Sequence, residues 1–231
     1  MVDDRTHRHI TFYFDFISPF SYFAWYRLTR LQQQHDFSID YQPVVFGKLL
    51  DHWGQLGPAE IPPKREWLLR YCLRYTAIHQ IPFQPPPQHP FNPLLALRLA
   101  LRGVSGEAQP RLIAALYHAA WGTGQNIADE TVVSECLRAI DADAEPLLAQ
   151  TREAATKQAL ATSTTQAIEH GVFGVPSWRL GDEIFWGNDQ LEQFEHCLIH
   201  GDAMNWKLYE AMLKRGRAID RKRVQQDSKE Q

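Results

Sequence analysis

Residues 9–26 read HITFYFDFISPFSYFAWY, and the fold follows from how this stretch is divided. Residues 10–16 are a run of β-branched and aromatic side chains of strand length. Ser18 followed by Pro19 then carries the signal for a helix start, because a serine side chain caps free N–H groups and proline suits the first helical turn. The predicted unit is strand, tight turn and helix. Within the turn, Ser18 and Ser21 are spaced as the sulfurs of a C-x-x-C redox motif would be, so hydroxyls stand where a dithiol site would carry thiols.

Outward from this unit, a helix over 19–35 sets Tyr22, Phe23, Tyr26, Leu28 and Leu31 at three- and four-residue spacings, as one buried face requires. Residues 36–46 read as a second strand, with Phe37, Ile39 and Tyr41 alternating against polar neighbours. Two strands flanking one helix make a βαβ unit, which is parallel and right-handed. Residues 47–57 form a short amphipathic piece, and Pro58, Pro62 and Pro63 predict a loop. Helical periodicity resumes over 64–78, with Trp67, Leu68, Tyr71, Cys72 and Tyr75 on one side. The proline-rich run 81–93 predicts an extended surface path. At its end Asn92, as a cap, and Pro93, at the first helical position, open a helix over 94–102.

Further helices are predicted over 107–121, 129–140, 144–150 and 152–170. After Gly171 the pattern changes to two short strands, 177–180 and 183–186, joined by a Gly181-Asp182 turn and followed by a helix from Gly187 through Leu198. The order βαβ, helical insert, ββα defines an α/β, thioredoxin-like fold. Its expected divisions are 9–46 with 171–200 as the thioredoxin-like domain, 47–170 as a large all-helical insert, and 201–231 as a C-terminal helix with a basic, frayed tail.

Across the 231 residues, 44% are hydrophobic, 22% are charged and the net charge is -3. A slightly negative chain whose basic residues are scattered until its C-terminal stretch gives no sign of a nucleic-acid partner, and the basic tail reads as a solvated terminus before it reads as a nucleic-acid or membrane arm. Cys72, Cys136 and Cys197 make neither a C-x-x-C pair nor a zinc spacing, which predicts reduced, structural thiols, no metal, and a cytoplasmic protein. The first ten residues lack the apolar run of a secretory signal, and no stretch approaches the roughly 18 apolar residues of a membrane span.

The chemistry centres on Ser18. A helix N-terminus favours an anion, and a serine hydroxyl there can donate to the sulfur of a bound thiol as well as cap the helix. Lowering a thiol pKa from about 8.5 toward neutrality needs about 2 kcal/mol, within reach of one charge-assisted hydrogen bond plus the dipole. Val175-Pro176 lies between a helix and a hairpin, where a thioredoxin-like fold carries a cis-proline whose preceding residue presents backbone groups to an extended peptide-like ligand, and the same is expected here. Asn188 and Asp189 suit either a helix cap or the ammonium of a γ-glutamyl group. Lys64 suits a ligand carboxylate or open solvent.

Taken together, SPFSY, GQLGPAEIPPKR, the helical insert, FGVPSW and FWGNDQLEQF resemble the 2-hydroxychromene-2-carboxylate isomerases, relatives of kappa-class glutathione transferases and DsbA-type oxidoreductases. The resemblance covers residues 9–200. It implies glutathione as cofactor, Ser18 as the residue that activates its thiol, and glutathione contacts at Lys64, Val175, Pro176, Asn188 and Asp189. Gln55 stands where many relatives have asparagine, and implies a contact of the same kind. The implied reaction is reversible addition of the thiolate to a hydroxychromene carboxylate, bond rotation, and expulsion of the thiolate to leave the trans benzylidenepyruvate. A small aromatic carboxylate is then the substrate partner and a homodimer the expected assembly. Phe20, Tyr22, Trp53 and Trp186 are candidates to line its pocket. A kappa-like transferase conjugating electrophiles and a non-catalytic binding module are the alternatives that share these motifs.

Overall fold

A computed structural model of the chain describes residues 8–216. Four strands form one sheet: β1 (Arg8–Phe14), β2 (Phe37–Pro43), β3 (Ser177–Leu180) and β4 (Glu183–Trp186), in the order β2-β1-β3-β4. β1 pairs parallel with β2, Ile10 opposite Ile39, and antiparallel with β3, Tyr13 opposite Ser177. β1 is therefore the central strand, paired along both edges. Ile10, Phe12 and Phe14 enter the main core, while Tyr13 enters a smaller one with Val44, Leu49, Ala167, Val172 and Val175. Alternation along β1 thus makes two apolar layers from one strand.

Helix α1 (Pro19–Gln32) joins β1 to β2. The insert runs through α2 (Phe46–Trp53), α3 (Pro62–His79), α4 (Leu94–Leu99), α5 (Arg102–Ser105), α6 (Gln109–Tyr117), α7 (Glu130–Arg138), α8 (Ala144–Arg152) and α9 (Ala154–Glu169). After β4 a 3-10 turn (Asn188–Gln190) leads into α10 (Leu191–His200) and α11 (Trp206–Leu213). Insert residues Leu97, Leu112, Leu116, Tyr117, Trp121 and Leu137 share one continuous core with Phe12 and Phe14 of the sheet. Ring contacts bridge the two, with Phe16 5.3 Å from Phe14 and 4.8 Å from Tyr117. Among the described residues no helix is long and apolar enough to cross a membrane.

Several expected boundaries move for identifiable reasons. Pro58 opens a 3-10 turn, and Pro62 and Pro63 form the first turn of α3, so the expected loop is a helix start. First-turn N–H groups have no intrahelical partner, so proline costs nothing there. Pro93 is the residue before α4, and Asn92 caps from one position earlier, its Oδ1 accepting from the Leu94 N–H at 3.0 Å. The expected helix 94–102 breaks at Leu101, whose backbone is extended. The expected helix 107–121 is three segments: a 3-10 turn, α6, and a π-helical turn (His118–Gly122) closed by the Thr123 N–H on the His118 carbonyl at 2.8 Å. The expected C-terminal helix is α11, and the basic tail from residue 217 onward lies outside the described residues.

Candidate functional site

The chain leaves the sheet after Phe14 and enters α1 at Pro19, with Ser18 in extended backbone as the helix cap. Ser18 Oγ accepts from the Ser21 N–H at 3.2 Å, which leaves its own O–H free to donate elsewhere. Pro19 has no N–H, and the Phe20 N–H has no partner among the described residues. A free hydroxyl proton, a free backbone N–H and the positive end of a helix therefore meet at one point, the arrangement that binds a small anion. Ser21 points the other way. Its hydroxyl is fully buried, facing Tyr117 without a good hydrogen bond.

This turn is held from the insert. The Trp121 indole N–H donates to the Phe16 carbonyl at 2.7 Å, and His89 Nε2 lies 3.0 Å from the Ile17 carbonyl, donating in the tautomer protonated there. Inside the turn the Ser18 N–H donates to the Asp15 carbonyl at 3.2 Å. Asp15 is itself buried, its carboxyl accepting from the Ile17 and Phe46 N–H groups at 3.0 and 2.9 Å. Burial pushes that carboxyl up to about 7, with the two N–H bonds opposing. None of Asp15, His89 or Trp121 was selected from sequence. The only sequence signal was Asp15, a single carboxylate inside an apolar run.

The second side of the site comes from β3. Pairing of Tyr13 with Ser177 brings the Val175-Pro176 peptide, which is cis, to the end of β1 where the Ser18 turn begins. Neither the N–H nor the C=O of Val175 is paired among the described residues, so both remain open to a ligand backbone. The Pro176 carbonyl accepts from the Gly187 N–H at 2.9 Å, tying this loop to the 3-10 turn that carries Asn188 and Asp189. Gly174 lets the Trp186 indole approach closely: a Cβ there would lie 2.5 Å from Trp186 Nε1, so any side chain would displace that ring.

Asn188 is buried, and that 3-10 turn packs against α1. Its Oδ1 faces the Tyr75 hydroxyl at 3.4 Å, which in turn accepts from Arg27 at 3.0 Å, while its amide approaches the Tyr71 hydroxyl without a good hydrogen bond from Nδ2. Asp189 is exposed and its carboxylate folds over Gly187. Neither side chain makes a capping bond to the following helix, so the cap reading does not hold.

Gln55 and Lys64 are exposed. Gln55 follows Trp53, whose indole donates to the Val172 carbonyl at 3.0 Å, so the end of α2 lies beside the loop before Val175. Lys64 is in the first turn of α3, the end that borders α1 through Phe20, 5.2 Å from Tyr71 and 6.5 Å from Trp67. Its ammonium has no ion-pair partner among the described residues. Ser18, Val175, Pro176 and Asn188 thus gather at the end of β1, with Gln55, Lys64 and Asp189 on the surrounding surface. Of the candidate aromatic residues, Tyr22 is core, its hydroxyl bonded to the Pro82 carbonyl at 2.7 Å. Phe20 is half-buried, Trp53 and Trp186 are exposed, and Trp67 and Tyr71 join them. All three cysteines are free, and burial pushes Cys72 up to about 12 and Cys136 up to about 11, far from a reactive thiolate.

A capping hydroxyl at the first helix, a cis-proline beside it and a βαβ–ββα sheet interrupted by helices define a DsbA-like thioredoxin-fold protein, and residues 9–198 match the DSBA-like thioredoxin domain family. Within that class the chain belongs to the 2-hydroxychromene-2-carboxylate isomerase family. It is 32% identical to 2-hydroxychromene-2-carboxylate isomerase of Sphingobium xenophagum over 82% of this chain and 97% of that protein. A solved structure of 2-hydroxychromene-2-carboxylate isomerase superposes with a TM-score of 0.75 at 28% identity, covering 90% of this chain and 100% of that one. Glutathione S-transferase kappa 2 of Caenorhabditis elegans is 27% identical over 80% of this chain and 88% of that protein.

Proposed function

We propose that this chain is a glutathione-dependent isomerase interconverting 2-hydroxychromene-2-carboxylate and trans-o-hydroxybenzylidenepyruvate, or a related intermediate of aromatic-compound breakdown. The observation that carries the reading is the Ser18 hydroxyl, its lone pair committed to Ser21 and its proton free, at the N-terminus of α1. The other residues suit glutathione by chemistry. Val175 offers an unpaired backbone donor and acceptor for a cysteinyl main chain, and Asn188 Nδ2 is a buried donor without a good hydrogen bond to its neighbour Tyr71. Asp189 suits the γ-glutamyl ammonium, Lys64 suits a carboxylate, and Gln55 adds an amide beside the Val172 loop. When bound, glutathione supplies a sulfur nucleophile that adds reversibly to the conjugated bond. Ser18 and the α1 N-terminus stabilise the anionic form of that sulfur by about 2 kcal/mol. Phe20, Trp67 and Tyr71 form an apolar wall on the α3 side, suited to a flat aromatic acid. The reading includes a cytoplasmic homodimer, supported by the free cysteines and the family resemblance respectively.

A kappa-like transferase is the second reading, favoured by the kappa-class relative and served by the same residues. Purified protein mixed with hydroxychromene carboxylate and glutathione separates them. A changing ultraviolet spectrum at constant free thiol is the expected result, stoichiometric thiol loss means conjugation, and no change with either readout refutes both.

A further inference from the structure

Asp15 sits directly behind the Ser18 turn, and no cation pairs with it among the described residues. One carboxylate oxygen holds the Ile17 N–H and the other holds the Phe46 N–H, 31 residues away. Phe46 is the first residue of α2, and the residue before it, Val45, has no side-chain oxygen to cap that helix. Asp15 supplies the missing acceptor, while its main-chain carbonyl takes the Ser18 N–H. A single residue therefore joins the start of α1, which presents Ser18, to α2, which ends beside Gln55. The polar groups facing Asp15 are few. The Tyr117 phenol of α6 is raised well above its usual value, by burial first and by the Asp15 charge second.

We propose that Asp15 is a positioning residue for Ser18, clamping the turn to the start of α2, and that its charge is coupled to the proton of a thiol bound at Ser18. The coupling rests on the glutathione reading above. Its sign follows from like charges in a dry site: a thiolate at Ser18 and a carboxylate at Asp15 oppose one another, so each ionises at higher pH when the other is charged. With the Asp15 carboxyl pushed up to about 7 by burial, the exchange falls in the neutral range. The clamp acts in a different way. Asp15→Asn keeps an acceptor for one N–H and turns its NH2 group against the other, which loosens the turn or the start of α2.

The test is titration of the thiolate ultraviolet absorbance of the glutathione complex, for wild type and Asp15→Asn, together with kcat and KM for glutathione. Expected for Asp15→Asn are a single-step titration moved down by about one pH unit, and a kcat reduced about tenfold or more with a smaller change in KM. Phe46→Pro is the second variant. Val45 is already extended and α2 accepts proline at its first position, so the helix start survives while Asp15 loses one donor. It is expected to move the Asp15-linked step to higher pH. If both variants titrate like wild type with unchanged kcat, the proposal is overturned while the glutathione site stands. Absence of any thiolate signal in wild type overturns the glutathione reading and the coupling with it.

Discussion

Replacing Trp121 by Phe tests whether the insert positions the Ser18 turn. Trp121 is buried, its N–H donates to the Phe16 carbonyl at 2.7 Å, and its ring lies parallel to Phe83 at 6.0 Å with a 6° interplanar angle. Phenylalanine keeps an aromatic ring against Phe83 but deletes the donor. Phe16 is fully buried, so its carbonyl is stranded away from water at a cost of about 1–3 kcal/mol. The smaller ring leaves space worth roughly 1 kcal/mol more. A total of about 2–4 kcal/mol in a chain of this size lowers Tm by roughly 5–12 °C. The stranded carbonyl belongs to the peptide that leads through Ile17 to Ser18, so kcat is expected to fall about tenfold in the folded protein. Scanning calorimetry and steady-state turnover below the new Tm read the two effects separately. A Tm within about 2 °C of wild type together with unchanged kcat refutes the view that this bond holds the turn.

Ser18→Ala removes both roles of the hydroxyl: loss of the cap costs about 1 kcal/mol by thermal denaturation, and turnover falls at least about a hundredfold while glutathione still binds by calorimetry. A binding module would show the first effect and have no turnover to lose. Lys64→Ala leaves Tm unchanged, because the side chain is exposed without an ion-pair partner; it raises KM for glutathione about tenfold, and an unchanged KM removes Lys64 from the site. For His89, burial lowers the folded pKa below its usual 6.5, so the unfolded chain takes up protons first as pH falls. The His89 contribution to stability is therefore full above about pH 6.5 and is lost as pH drops from there toward the folded pKa. Subtracting the Tm–pH curve of His89→Gln, which can still donate to Ile17, from that of wild type isolates this loss, and a flat difference refutes it.

Local signals carried much of this fold. The strands at 177–180 and 183–186 fall where their apolar character and the Gly181-Asp182 turn placed them, because a short hairpin is marked by its own residues and its turn. β1 was harder. It begins at Arg8, since Arg8 and His9 pair with Phe37 and Ser38 across the sheet, and it stops at Phe14, since Phe16 turns into the core beside Tyr117. Neither partner is visible from within residues 9–26. Ser18, Val175 and Pro176 were legible because a capping serine and an X-Pro peptide have local meaning. Asp15, His89 and Trp121 matter through partners outside their own segments, Trp121 through a carbonyl 105 residues away, and carry no spacing rule. Tyr22 reads both as part of the buried face of the first helix and as a candidate for the substrate wall, and its own segment does not decide between them. The loop carbonyl of Pro82, which fixes it in the core, could be found only in three dimensions.

The pairing of Tyr13 with Ser177 has a consequence for biosynthesis. β1 emerges first and gains β2 soon afterwards, but its other edge waits until the whole insert has been made. At ordinary ribosomal speeds that interval is on the order of ten seconds. Throughout it, an apolar strand shows one bare edge of backbone N–H and C=O groups, the geometry that recruits stray strands from other chains. Until β3 arrives the Ser18 turn also lacks its Val175-Pro176 neighbour, so nascent chains stopped before residue 177 hold Ser18 without the second side of the candidate site.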